Sequence, residues 1–268
     1  MDRDRLSTLL AVIVLGNVLF QFVDLPGRVY RLNVLGSPLQ IRASGTLLLV
    51  SLMIGLASTG TSLVLRDHPL LIRNPDRSVT LCWILPGVLA GLCSYLLAIA
   101  PTRPIWLGGL IVSVTAIGLT VAAEYAAVHP DAPNYATARL ALNALAYLMA
   151  FALFVIIYRT RTRSLVTGTL MLLTATVLAV DLLSVSGVSI KRLLPFAGIV
   201  GLIIGESTWA LNYWPVSAWV GGLLLLLIFY VSTNVAHQHL LDRLSLPTLV
   251  EFAAVTVAVL VVVLIRGL

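Results

Sequence analysis

The chain has 268 residues, of which 59% are hydrophobic and only 10% are charged, and its mean hydropathy is +1.03. A soluble domain carries roughly 25% charged residues, so the composition excludes an ordinary soluble protein and indicates a chain surrounded largely by lipid. The net charge of +6 is scattered over the ends of apolar segments and not clustered with aromatic residues. This distribution favours the lipid bilayer as the partner and argues against nucleic acid.

Nine apolar stretches are long enough to cross a bilayer, for which about 20 residues are needed. They cover residues 6–23, 44–65, 78–100, 105–128, 135–158, 164–188, 191–213, 215–241 and 247–266. The first follows a basic N-terminus but lacks a small-x-small cleavage site, so we expect it to be retained. The sequence therefore predicts an all-α integral membrane protein of about nine transmembrane helices, with residues 1–268 forming a single polytopic domain.

The connection after the first stretch has the alternation of a β-ribbon. Apolar residues alternate with polar or basic ones over residues 29–35 and 38–42. Gly36-Ser37 between them suits a two-residue turn with glycine first. The pattern predicts one short extramembrane β-hairpin at residues 29–42, with an apolar and a basic face; the alternative is an irregular ordered loop.

Residues 191–215 combine close packing with an ionisable group. Ala197, Gly201 and Gly205 recur every fourth residue, so they share one helical face and allow a second helix to approach closely. Glu206 follows this ridge while still inside the apolar stretch, and Trp209 is the first aromatic residue of the next interface. Three further glycines also look like packing positions: Gly118, Gly168 and Gly198.

Ionisable and amide side chains inside membrane spans are costly, so they are functional candidates. The candidates for a substrate or ion pathway are Asp181, Glu206, Asn143, Asn234, Glu124, Arg139, His237 and Glu251. Counting from span ends places Glu124, Arg139, His237 and Glu251 about 6 Å inside one membrane face. Asn143, Asp181 and Asn234 lie at about 11 Å by the same count. We expect a wet vestibule with Asp181 at its floor and Glu206 about 10 Å further along the membrane normal.

Structural roles are the alternatives for the same residues. Glu124 and Arg139 flank a short loop and would form a salt bridge between spans 4 and 5. Asp181 would accept hydrogen bonds from Asn143, Ser184 or Thr174, and Glu206 would be held by Asn17 or Gln21 of the first span.

The sequence indicates no catalytic residue, no metal and no cofactor. His237 and His239 point about 160° apart on a helix, which suits one metal ion badly. Cys82 and Cys93 are about 16 Å apart along one span and cannot pair. Nucleotide-binding, zinc-protease and serine-hydrolase motifs are absent from the sequence.

Three functions remain open on this basis. The first is a non-catalytic subunit or scaffold of a membrane complex, or a homo-oligomer, favoured by the minimal loops and the hairpin. The second is a small-solute or ion-coupled transporter that uses Asp181 and Glu206. The third is an enzyme that acts on lipid-linked substrates. We expect a plasma (inner) membrane location, with undetermined orientation because Lys and Arg divide nine to eight between the two sides.

Overall fold

The computed structural model describes residues 3–23, 28–34, 37–66, 81–129, 132–160 and 164–243, together with eight residues between 250 and 261. For the two strands, only the backbone is described. The helices described from end to end are α1 (Arg3–Phe20), α2 (Gly45–Arg66), α3 (Ile84–Ala98), α4 (Arg103–Ala127), α5 (Tyr135–Arg159), α6 (Ser164–Ser184), α7 (Ile190–Asn212) and α8 (Ala218–Leu240).

Six of these helices, α2 and α4 to α8, are long and apolar enough to cross a membrane. Each is about 30 Å long or more, which matches the hydrocarbon thickness of a bilayer. The chain is therefore an integral, multi-pass membrane protein, as its composition predicts.

The other three predicted spans do not belong to this set. The 18 residues of α1 include three charged ones, Arg3, Asp4 and Arg5. Helix α3 has 15 residues, or about 22 Å, and begins at Ile84 although the sequence predicts a span from residue 78. Most of the predicted span 247–266 lies outside the described residues; the eight residues described there are helical.

Two antiparallel strands lie between α1 and α2: β1 (Arg28–Val34) and β2 (Ser37–Ala43). Tyr30 pairs with Ile41, and Val34 pairs with Ser37. Ser37 therefore belongs to a strand, and the predicted turn at Gly36-Ser37 is wrong by one residue. The alternation cannot distinguish these two registers, because both keep the apolar residues on the same face.

The chain divides into two compact units, residues 1–142 and 143–268, with the boundary inside α5. In the first unit α1 contacts α2 and α4, and α3 contacts α2 and α4, so the four helices form a closed ring of neighbours. Close approaches occur at glycines: Gly16 faces Met53 across α1 and α2, and Gly91 faces Ile54 across α2 and α3. Met53 and Leu85 are fully buried in this core.

In the second unit, α6 packs along α7, and both contact α8. Helix α5 joins them through Tyr158, whose hydroxyl donates a 2.7 Å hydrogen bond to the Leu211 carbonyl at the end of α7. The Tyr158 ring also lies against Gly221 of α8, where a side chain would collide with it. A single tyrosine thus fixes the ends of three helices.

Candidate functional site

The small-residue ridge of α7 is approached closely by another helix, as the sequence predicts, and this helix is α6. Ala197, Gly201 and Gly205 are buried. A Cβ atom at Gly201 would collide with the Thr176 hydroxyl and lie 2.7 Å from the Leu172 carbonyl oxygen. One at Gly205 would lie 3.3 Å from the Gly168 carbonyl oxygen. The helices approach so closely because the ridge carries no larger side chains.

The same contacts fix how α6 and α7 are aligned. Gly201 lies level with residues 172–176 of α6, and Gly205 lies level with residues 168–172. Continuing this antiparallel alignment places Asp181 level with residue 194 of α7. Twelve residues then separate that level from Glu206, or about 18 Å along the helix axis. This distance along the helix axis is longer than the 10 Å or so that the sequence predicts along the membrane normal.

The difference originates at the end of α6. The sequence predicts a span that continues to residue 188, whereas α6 ends at Ser184. Asp181 is therefore only three residues, or about 4.5 Å, from the end of its helix. The count from the predicted span end places it about 11 Å inside. The Ser184 hydroxyl donates to the backbone carbonyl of Asp181, at 2.6 Å, and so closes the last turn.

Glu206 lies on the outer face of α7. Gly205, just before it, and Thr208, two residues after it, are buried, but Glu206 is exposed. Leu202, Ile199 and Trp209 are exposed on the same side of the helix. Glu206 is six residues, or about 9 Å, from the end of α7 at Asn212. The structure thus presents a carboxylate among exposed apolar side chains on a helix that is long and apolar enough to cross a membrane.

Asn17, the side chain that the sequence offers as a partner for Glu206, is engaged elsewhere. Its Nδ2 donates to the Ile13 carbonyl at 2.9 Å and to Met53 Sδ at 3.6 Å. These contacts lie inside the first unit, between α1 and α2.

Asn234 of α8 is bound to α5 through a residue that the sequence did not single out. Its Nδ2 donates to the hydroxyl of Tyr147 at 3.0 Å and to the Tyr230 carbonyl at 2.8 Å. The ring of Tyr147 lies 6.1 Å from that of Phe229, edge to face. Aromatic residues recur along α5 at positions 147, 151, 154 and 158, and this three-to-four spacing was the available signal for a shared face.

The histidines of α8 do not converge. His239 lies beside the ring of Phe196 from α7, with 5.3 Å between the ring centroids. His237, two residues earlier, is half-buried in the last turn of the helix. At the same end, Arg192 and Asp242 form an exposed ion pair of 3.8 Å between the start of α7 and the residues after α8. In the described part of the chain, no group of three or more potential metal ligands comes together.

The remaining candidates divide between the two units. Glu124, in the last turn of α4, is 98% buried in the first unit. Arg139 belongs to the same unit, and its guanidinium lies over the ring of Tyr135, 5.8 Å from the centroid. Among the described residues, no ion pair joins Glu124 to Arg139. Asn143 is half-buried at the start of the second unit, and Glu251 lies outside the described residues.

Residues 25–266 match the family model described as a protein of unknown function, DUF5656. The chain belongs to this family. The matched segment takes in both strands and helices α2 to α8. No curated protein and no solved structure matches the chain. A function must therefore be inferred from the positions and contacts of the residues.

Proposed function

We propose that this protein is a non-catalytic subunit or scaffold of a membrane complex, and that the outer face of α7 around Glu206 is where a partner helix binds. The observation that carries this proposal is the exposed Glu206 carboxylate on an apolar face. An ionisable side chain that faces lipid costs several kcal/mol, and such groups usually face another helix or a cavity. A partner helix that supplies a cation or a hydrogen-bond donor would remove this cost.

The chemistry of the face favours a different protein over a second copy of this chain. Two copies joined by the same face around a twofold axis would bring their Glu206 carboxylates together, and like charges repel strongly in a low-dielectric environment. A lysine, arginine, serine or asparagine on the partner would instead complement the carboxylate. The apolar surroundings of Glu206, which include Leu202 and Trp209, would pack against the body of the same helix.

The test compares two carboxylate variants in protein extracted gently from its native membrane. We expect Glu206→Leu to lose a stoichiometric companion protein while the chain itself remains folded. Asp242→Asn is the matched control, since Asp242 is an exposed carboxylate at the end of a helix and its only recorded partner among the described residues is Arg192. Equal recovery of the companion with Glu206→Leu and with the control would show that Glu206 only reaches the headgroup region.

The transporter hypothesis draws no support from the geometry, because Asp181 and Glu206 are about 18 Å apart along the packed helices α6 and α7. An enzyme acting on lipid-linked substrates would need reactive side chains brought together. The Asn234–Tyr147 hydrogen bond has its two groups engaged with each other and with backbone. The Arg192–Asp242 ion pair is exposed, and neither contact favours this chemistry.

We also propose that the chain crosses a plasma (inner) membrane nine times, with the hairpin of β1 and β2 outside the bilayer. Helices α1 and α3 would provide two crossings beyond the six long apolar helices, and residues 247–266 would provide the last. An odd number of spans places the two ends of the chain on opposite sides of the membrane. Labelling of single cysteines introduced at Ser7 and near Arg266 by an impermeant reagent tests this: nine spans predict that only one is labelled in sealed vesicles, whereas eight spans predict that both behave alike.

A further inference from the structure

The first unit contains a cleft lined partly by polar side chains. It is formed where α1 and α3 end and where α2 and α4 begin. One cavity, of about 420 Å³, is lined by Asn17, Gln21, Thr46 and Trp106. A second cavity, of about 560 Å³, shares Gln21 and Trp106 with it and adds Arg103. We call these two cavities the Asn17 cleft.

Asn17 gives the cleft a buried acceptor in need of a donor. The side chain is only 4% exposed. Its Nδ2 donates to the Ile13 carbonyl, which can only accept, so the amide orientation is settled and Oδ1 is the atom left over. Among the described residues, nothing donates a hydrogen bond to Asn17 Oδ1. A buried amide oxygen without a donor costs free energy, which a ligand carrying an O–H or N–H group would recover.

The other end of the cleft suits an anion. Ser44 caps α2, because both its carbonyl and its hydroxyl accept a hydrogen bond from the Leu47 N–H. The N–H groups of Gly45 and Thr46 precede this bond. Thr102, before α4, makes no side-chain cap. The first N–H groups of a helix and its partial positive charge favour phosphate. Arg103 adds a full positive charge on the same cavity wall.

The residues around the cleft are of the kinds that contact lipid head groups and acyl chains. Trp106 is the kind of residue that lies at the level of lipid head groups. Phe22 and Leu107 line the second cavity and are strongly exposed, so acyl chains can lie against them. The described lining thus combines exposed apolar side chains with the positive charge of Arg103.

We propose that the Asn17 cleft binds the head group of a glycerophospholipid that carries a hydrogen-bond donor beyond its phosphate, such as phosphatidylglycerol or phosphatidylethanolamine. The phosphate would lie near Arg103 and the N-termini of α2 and α4, and the hydroxyl or ammonium group would donate to Asn17 Oδ1. Phosphatidylcholine has the same phosphate but no O–H or N–H in its head group. It is therefore the matched control among lipids.

Native mass spectrometry of the purified full-length chain, given equimolar phosphatidylglycerol, phosphatidylethanolamine and phosphatidylcholine, tests this directly. We expect the two donor lipids to bind more tightly than phosphatidylcholine. Asn17→Leu should reduce that preference about five- to tenfold, the equivalent of one buried hydrogen bond. Arg103→Gln should instead weaken all three lipids together, because the phosphate is common to them. Arg159→Gln, an exposed arginine at the end of α5, should change neither.

Two results would overturn the proposal. One is a wild-type protein that binds phosphatidylcholine as tightly as the donor lipids. The other is displacement of the lipid by soluble glycerol phosphate added at the same concentration as the lipid. That result would assign the cleft to a free phosphate ester. If Asn17→Leu fails to fold, Gln21→Leu takes its place, since Gln21 lines both cavities and is exposed. A lipid preference unchanged in a folded Gln21→Leu protein would then count against the site.

Discussion

At the scale of single residues, the account depends on which polar side chains have their hydrogen bonds made inside the protein. Tyr158 and Asn234 are engaged with neighbouring helices. Asn17 Oδ1 and the Glu206 carboxylate have no partner in the described part of the chain. The first two residues therefore hold helices of the second unit together, while the other two are the basis of the proposed partner helix at Glu206 and the proposed lipid site at Asn17.

Tyr158→Phe tests the structural half of this distinction. The hydroxyl donates to the Leu211 carbonyl in a side chain that is only 2% exposed. Its removal should lower the stability by about 0.6–1.5 kcal/mol, the range for interhelical hydrogen bonds in membranes and for buried ones in general. Tyr213→Phe is the control, because Tyr213 is 88% exposed. Equal thermal stability of the two variants in detergent would contradict the role given to Tyr158.

The sequence reveals some of these residues but not their surroundings, for a physical reason. An ionisable residue inside an apolar segment stands out by its type, so Glu206 and Asp181 were found at once. Whether such a residue faces a helix or the lipid depends on the tertiary packing, and neither the exposure of Glu206 nor the unpartnered oxygen of Asn17 could be predicted. Tyr147 was missed because a tyrosine in a membrane helix is ordinary until its hydroxyl is seen to meet Asn234.

At the scale of the elements, glycines decide how the helices pack. The ridge of Gly201 and Gly205 was predictable, because a spacing of four residues defines one helix face whatever the tertiary structure. Gly168 also packs as predicted, against Trp209, and a Cβ built on Gly118 would lie 3.2 Å from Leu10. Gly198 is not a packing position, since nothing lies within 4 Å of a Cβ built on it. Gly198 is also outside the four-residue series of Ala197, Gly201 and Gly205.

The pair Gly201→Ala and Gly198→Ala separates packing from helix propensity. At Gly201 the methyl group would meet the Leu172 backbone oxygen at 2.7 Å as well as Thr176. We expect a loss of about 1–3 kcal/mol, because a backbone atom cannot move aside as a flexible side chain can. At Gly198 the methyl group has open space, and alanine favours the helix by up to about 1 kcal/mol. Thermal unfolding of both variants in the same detergent measures the difference; a Gly201→Ala protein as stable as Gly198→Ala would refute the close α6–α7 contact.

Helix ends were the least predictable feature of the elements. Hydropathy continues through residues 185–188 without a charge, so the sequence extends the sixth span beyond Ser184. The four-residue difference was enough to change Asp181 from a deep carboxylate into one near a helix end. In the hairpin, the alternation located both strands but not the turn, since two registers satisfy it equally.

At the scale of the whole molecule, composition and segment length were sufficient to identify a multi-pass membrane protein. Six helices carry that conclusion in the structure. The function was not accessible in the same way, because fold and function are separable and the family description assigns no activity. The central claim therefore concerns what covers the outer face of α7.

Photo-crosslinking from position 202 in the native membrane tests that claim most directly. Leu202 is exposed one helical turn before Glu206, and Leu148 on α5 is an exposed control position. We predict that a photoreactive residue at position 202 forms a crosslink with a single stoichiometric membrane protein, that Glu206→Leu abolishes this crosslink, and that position 148 does not form it. Lipid adducts at both positions, or a crosslink to a second copy of this chain, would contradict the proposal.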